Sequence, residues 1–159
     1  MNTFKLKPFM VFTGKNNENI KNTLNTLKDY DIIIENLGGN LHPEYQVEYL
    51  YSLVKLFNET HNNIKIAFST HSPYILSALN CCLIAYEAYT KKNFKETAEI
   101  FDNTKWISID RLGVYNITGN EVKSIIDTET NLILADVIDS VSEKIGEIFD
   151  ELLDLSYKE

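Results

Sequence analysis

Three short apolar runs, each followed by polar residues and a helical pattern, constrain the fold of this chain more than any other feature. The runs are FMVF at 9–12, DIIIEN at 31–36 and NIKIAFSTHS at 63–72. Helical spacing of apolar residues follows at 17–27, 43–61 and 73–91. Strands that alternate with helices predict parallel strands joined by right-handed crossovers. We therefore expect an α/β fold of three layers, with a mostly parallel sheet and helices on both of its faces.

Two of these segments carry further expectations about burial. DIIIEN is apolar at successive positions, which is typical of a parallel strand buried on both faces. The helix at 73–91 is apolar almost all round and should pack on several sides. Cys81 and Cys82 lie inside it, and we expect both in the core, since two adjacent cysteines build neither a disulfide framework nor a four-ligand metal site.

The C-terminal part predicts a hairpin and then a helix. The runs WISID at 106–110 and GVYNIT at 113–118 lead through a Gly119-Asn120 turn into EVKSIID at 121–127, which is typical of a hairpin. Ser140 and Glu143 form a capping box ahead of an apolar stripe that lies opposite acidic residues. The stripe comprises Val141, Ile145, Ile148, Phe149, Leu152 and Leu153. We expect it to dock on the sheet; the alternative is a surface for a partner.

Charge and hydropathy narrow the classes of protein that remain. The segment 121–159 carries 11 acidic and 3 basic residues, so it accounts for the whole net charge of -8, and 1–120 is neutral. Without a basic stripe, direct binding to nucleic acid is not expected. No apolar stretch is long enough to span a membrane, and the first residues lack a signal-peptide cleavage site. We expect a cytoplasmic protein without membrane contact.

Polar residues follow each of the three predicted strands. They lie at 13–17, at Glu35-Asn36 and at 69–72. In open α/β sheets, ligands bind outside the carboxyl ends of the strands. The sequence therefore predicts that these three clusters meet at one edge of the sheet.

Two motifs at a fixed spacing carry a family resemblance. IIIENLGGNLHPEYQ, followed by IAFSTHSPYIL, resembles the Walker B strand, D-loop and switch histidine of the ABC-type AAA ATPases, which include RecF-like, SMC-like and defence-associated ATPases. Leu41-His42-Pro43 and Thr70-His71-Ser72-Pro73 are intact at the spacing of the family. The resemblance implies a P-loop NTPase-like core, with ATP and magnesium as the cofactors of the family.

The same register gives the site residues of the Walker B region. Glu35 stands at the position of the magnesium-binding Asp, so it is a candidate metal ligand through water. Asn36 stands at the position of the catalytic Glu, and an amide has no useful basicity, so hydrolysis loses its base. His71 matches the switch histidine that contacts the γ-phosphate. Its alternative role is a hydrogen-bonded residue that caps the next helix.

The segment FTGKNNENIKNTLNTL resembles the phosphate loop of the family and aligns with it without a gap. Ile20 stands where the family has its lysine, and Lys21 stands where it has the Ser or Thr that binds magnesium. One residue on a helix is a rotation of about 100°, so Lys21 should point away from a phosphate. Asn can adopt the left-handed backbone of glycine, which leaves a loose anion-binding nest open. Its candidate nucleotide ligands are Gly14, Lys15, Asn16, Asn17, Asn19 and Lys21.

The chain also lacks the long insert that carries the signature motif of the family, because only 28–30 separate the first helix from the next strand. We therefore interpret 1–159 as a single reduced ATPase-like domain. Residues 1–92 form the core with degenerate nucleotide motifs, and 93–159 form the hairpin and the acidic amphipathic helix.

Three functions remain open from the sequence. The favoured one is a pseudo-ATPase that does not hydrolyse ATP and acts as a binding or regulatory protein, as a decoy or partner of a full-length ATPase in phage defence. A protein partner or a homodimer is then expected. The alternative is a minimal ATP-binding protein or ATPase, in which Lys15, Lys21 and Glu35 take the missing roles. The third is a remnant with a structural role only.

Overall fold

The computed structural model describes residues 4–61, 63–134, 145–150 and 152. Strands and helices alternate through most of this part of the chain. The elements are β1 (Phe9–Gly14), α1 (Asn17–Leu24), β2 (Ile32–Ile34), α2 (Pro43–Glu59), β3 (Ile66–Ser69), α3 (Pro73–Thr90), α4 (Phe94–Ile100), β4 (Leu112–Thr118) and β5 (Glu121–Ser124). Two 3-10 turns, Asn103–Lys105 and Ile109–Arg111, precede β4. Both long helices begin at a proline, where the missing N–H costs no hydrogen bond.

A five-stranded sheet with the order β2-β3-β1-β4-β5 forms the middle of the fold. The first four strands are parallel, and β5 runs antiparallel to β4. Phe9 of β1 is in register with Ile66 of β3 on one side and with Leu112 of β4 on the other. The predicted α/β class with a mostly parallel sheet is confirmed.

The two faces of the sheet bury separate apolar clusters. Alternation along β1 sends Phe9 and Val11 into the cluster with α2 and α3, and Met10 and Phe12 into the cluster with α1. Helices therefore cover both faces, as predicted. The larger cluster contains a ring contact between Phe9 and Phe57, with ring centres 5.4 Å apart.

The two cysteines of α3 have different surroundings. Cys82 is fully buried, and burial raises the pKa of its thiol to about 12. Cys81 is exposed, so the expectation that both lie in the core is wrong for this residue. The reason is geometric: neighbours on a helix point about 100° apart, and α3 buries only one broad side. Its Ile84 is 50% exposed.

The position of β2 in the sheet corrects a second expectation about burial. β2 is a parallel strand, but Ile33 is 43% exposed and its two neighbours are half-buried. It pairs with β3 only and forms the edge of the sheet. An apolar run indicates a strand, but it does not say whether the strand has neighbours on both sides.

The predicted hairpin is formed by β4 and β5. Gly119 opens the two-residue turn with φ +59°, a conformation that hairpin turns require and that glycine adopts without strain. The WISID run is not a strand: Trp106 and Ile107 are buried in irregular backbone, and a 3-10 turn follows. β4 joins the main sheet beside β1, so the hairpin is an extension of the core sheet.

The residues described near the C-terminus, 145–150 and 152, are helical. Four apolar side chains there are 58–61% exposed: Ile145, Ile148, Phe149 and Leu152. The expectation that this stripe docks on the sheet is therefore wrong for its described residues. The capping box of Ser140 and Glu143, with Val141 and Leu153, lies outside the described residues. Within the described ranges, no helix is long and apolar enough to cross a membrane.

Candidate functional site

The polar residues that follow β1, β2 and β3 meet at the carboxyl edge of the sheet. The Asn36 N–H donates to the Ser69 Oγ at 2.8 Å, and the Leu37 N–H donates to the Ser69 carbonyl at 2.7 Å. The Thr70 N–H donates to the Phe12 carbonyl at 2.9 Å. These bonds tie the three strand ends together, as the sequence predicted.

The loop after β1, which the sequence leaves open as an anion-binding nest, is short. Only Lys15 and Asn16 separate β1 from α1, and the Asn16 side chain caps the helix. Its Oδ1 accepts from the N–H of Glu18 at 2.9 Å and of Asn19 at 3.3 Å. A phosphate at a helix N-terminus needs such N–H groups. Here a side chain of the same loop already satisfies them.

Asn17 and Asn19, which stand where the resembled phosphate loop has glycines, are helical residues. Asn17 opens α1, and neither Asn17 nor Asn19 is among the described residues that have positive φ. The Asn19 Nδ2 donates to the Gly119 carbonyl at 2.8 Å, which fixes the start of α1 against the β4–β5 hairpin. The side chain that was expected to help bind a phosphate thus holds two elements together.

Close packing between β1 and β4 explains why position 14 is a glycine, and the sequence alone does not reveal this. Its φ is +151°, and a Cβ built at this position would lie 2.2 Å from the Ile117 carbonyl oxygen of β4. No carbon atom fits at that distance. The glycine that resembles the start of a phosphate loop is therefore required by the close approach of β1 and β4.

Lys21 and Glu35 form an ion pair at the same edge. The Lys21 Nζ lies 3.7 Å from the Glu35 Oε1, and the two side chains are 58% and 52% exposed. Lys21 stands where the resembled ATPases have the Ser or Thr that binds magnesium, and Glu35 stands where they have the magnesium-binding Asp. An ammonium group at this distance repels a divalent cation, so the residues present do not fit the proposed magnesium site. The described residues also contain no group of three or more His, Cys, Asp or Glu side chains that could hold a metal.

His71 lies beside the start of α1. Its Nε2 is 2.7 Å from the Asn17 Oδ1, so the residue that resembles the switch histidine contacts the first residue of α1. The helix-capping role considered for His71 is wrong. Ser72 is the N-cap of α3, and its Oγ accepts from the Ile75 N–H at 3.3 Å.

Asn36 has a left-handed backbone with φ +54° and is exposed. Its side chain lies over Gly39, where an added Cβ would be 2.1 Å from the Asn36 Nδ2. Gly39 therefore makes room for the Asn36 side chain, which stands where the resembled ATPases have their catalytic Glu. An amide in this position donates and accepts hydrogen bonds, but it does not take a proton from water.

A cleft of about 360 Å³ opens between the starts of α2 and α3. It is lined by Asn36, Leu37, Gly39, Gln46, His71, Ser72, Pro73 and Tyr74. Sequence reasoning missed Gln46 and Tyr74. Their signal was present, because both lie in the first turn of a helix that begins at a proline after a strand end. The Gln46 Nε2 donates to the Leu41 carbonyl at 2.8 Å, and the Ser72 hydroxyl donates to the Gln46 Oε1.

Comparison of the chain with protein-family models, with curated proteins and with solved structures finds no match. The resemblance to ABC-type ATPases thus stays a prediction that depends on the quoted motifs. The class that the fold defines is an α/β protein with a mostly parallel sheet and a polar cleft at its carboxyl edge.

Proposed function

We propose that this chain is a pseudo-ATPase: a protein with an ATPase-like core that does not hydrolyse ATP and acts by binding a full-length relative. The relative is an ABC-type ATPase of the kind that serves in bacterial and phage defence. The chain acts on it as a decoy or regulatory partner. The observation that carries the proposal is that side chains of the chain itself occupy the carboxyl edge.

Three contacts support the absence of ATP use. The Asn16 amide satisfies the N–H groups at the start of α1. Asn17 engages His71, and Lys21 engages Glu35. A nucleotide would have to break these contacts while gaining neither a glycine-rich cradle nor a lysine at the β/γ-phosphates.

Isothermal calorimetry and thermal-shift assays with ATP and magnesium test this part. We expect no heat of binding, no shift in melting temperature and no phosphate release. Since a ligand at 100 times its dissociation constant stabilises the native state by about 2.7 kcal/mol, binding would be visible as a higher melting temperature. A clear shift that the Lys21→Ala variant abolishes would overturn the proposal.

The cleft and its rim support contact with another protein. Tyr74 lines the cleft and is 52% exposed, and Leu41 and Tyr45, near the start of α2, are 43% and 60% exposed. Exposed aromatic side chains are enriched at protein interfaces, where they bury a large area at low entropic cost. A partner that covers this edge would gain from these side chains without any nucleotide.

Co-expression with a full-length ABC-type ATPase that has intact Walker motifs tests the partner. We expect the two chains to co-purify, and Tyr74→Ala to weaken the complex. Tyr89→Ala is the matched control, because Tyr89 is 44% exposed near the other end of α3. Equal loss in both variants, or no complex with any such relative, counts against the decoy role.

A second function has one observation in its favour. The cleft beside His71 has a volume within the range of small-ligand sites, roughly 300–1,000 Å³. In this alternative the chain is a minimal ATP-binding protein with a non-standard phosphate loop. The same calorimetry separates the two functions, because the alternative requires a heat that saturates with ATP.

A further inference from the structure

We infer that the C-terminal helix is a self-association surface through which two copies of this chain pair. The surface consists of Ile145, Ile148, Phe149 and Leu152, which we name the C-terminal stripe. The stripe differs from the cleft at the carboxyl edge in residues and position. Pairing through it does not depend on whether the chain binds a nucleotide.

The stripe is a contiguous apolar face that the described part of the chain leaves uncovered. At 100° per residue, its four side chains span about 100° of the helix circumference. Each is 58–61% exposed. A short helix in water is marginally stable by itself and gains most of its stability from packing of its apolar face. The stripe therefore needs an occupant.

The pattern of apolar residues favours a second copy as the occupant. In the sequence, apolar residues recur in alternating three- and four-residue steps at positions 138, 141, 145, 148, 152 and 155. This spacing is the heptad repeat of helices that pair with helices of the same kind. A helix that docks once on its own sheet requires no such repeat.

The positions of the charged residues also favour a second copy as the partner. Glu147 and Asp150 lie on the side of the helix opposite the stripe, and both are exposed. Gly146 lies at the flank, and a Cβ there would meet nothing within 4 Å. Two stripes can therefore meet without a carboxylate between them. Among the described residues, no acidic side chain lies beside the stripe. A partner whose interface is surrounded by basic residues would therefore find no opposite charge there.

The same charges make a prediction about salt. Each chain carries a net charge of -8, and the whole acidic excess lies within 121–159, so two paired C-terminal helices bring like charges together. Salt screens such repulsion. Pairing of copies should strengthen as salt rises, whereas contact with a basic partner would weaken.

Analytical ultracentrifugation of the full chain, from about 1 to about 300 µM, tests the pairing. We expect a monomer–dimer equilibrium with a roughly micromolar dissociation constant, because the interface is small. Ile148→Asp should raise this constant roughly tenfold or more. Ile100→Asp is the matched control, since Ile100 is 87% exposed on α4 and its replacement adds the same charge elsewhere. It should leave the equilibrium unchanged.

Cross-linking gives a second, independent measurement. In a Cys81→Ser background, Ile148→Cys places a thiol near the middle of the stripe, where it approaches its copy in either orientation. Oxidation should yield a dimer on a non-reducing gel, while Ile100→Cys should not. Buried Cys82 does not interfere. A wild-type chain that stays monomeric at the highest concentration, or dimers that Ile148→Asp leaves intact, would overturn the inference.

Discussion

The buried cluster beneath α2 and α3 and the polar carboxyl edge lie on the same sheet, but they follow different rules. The cluster contains fully buried Phe9, Phe57 and Phe68, whose shapes fill the space between sheet and helices. The edge consists of exposed amides, a histidine and an ion pair. The packing between the sheet and the helices therefore determines the fold, while the exposed side chains of the edge contribute less to stability and are free to vary.

The largest effect is expected in the cluster. Phe57→Ala removes a fully buried ring that contacts Phe9, so it should lower the free energy of unfolding by about 3–5 kcal/mol. Urea unfolding measures the loss. Leu56→Ala is the control, because Leu56 is its neighbour on α2 and 39% exposed. A similar loss in both variants would mean that this cluster is not the source of stability.

A smaller loss of unfolding free energy is expected at Gly14, where β1 ends at the carboxyl edge. Gly14→Ala forces a Cβ against the Ile117 carbonyl and should cost about 1–3 kcal/mol in unfolding free energy. Gly119→Ala, whose added Cβ meets nothing within 4 Å, should cost about 1 kcal/mol from its positive φ alone. If Gly14→Ala proves neutral, the close approach of β1 and β4 is not what requires this glycine.

Within the edge itself, Asn16→Ala should cost about 1 kcal/mol, because it removes the N-cap of α1. Asn16→Asp keeps an acceptor for the same N–H groups and should retain most of the stability. Chemical unfolding monitored by circular dichroism compares the two variants. Equal destabilisation by Ala and Asp would contradict the capping role.

The smallest effect is expected for the ion pair. Lys21→Gln should change the unfolding free energy by less than about 0.5 kcal/mol, since both partners are more than half exposed. A loss above about 1 kcal/mol would show that the edge supports the fold far more than exposed charges usually do.

Several features of the fold follow from local sequence alone. The prolines at 43 and 73 mark the starts of α2 and α3, because a proline fits the first turn of a helix. The alternation of strand and helix patterns gives the class of the fold. The meeting of three polar clusters at one edge follows from parallel strands, whose carboxyl ends share a side.

Other features depend on contacts between distant segments and were missed. Ile33 is exposed because β2 is an edge strand, and nothing in its own sequence reports its missing neighbour. The role of Gly14 depends on Ile117, far along the chain. His71 was a candidate cap, but Ser72 at the adjacent position has the better side chain and takes that role. Local propensity could have favoured Ser72.

The placement of β1 has a consequence for synthesis of the chain. β1 is the central strand, yet its partner β4 begins roughly 100 residues later. At about 5–20 residues per second, a ribosome needs roughly 5–20 s to deliver that partner. During this interval one edge of the apolar strand Phe9–Gly14 has no neighbour to pair with. The nascent chain thus carries an aggregation-prone edge that the finished protein no longer has, and a chaperone that holds it briefly should raise the yield of folded protein.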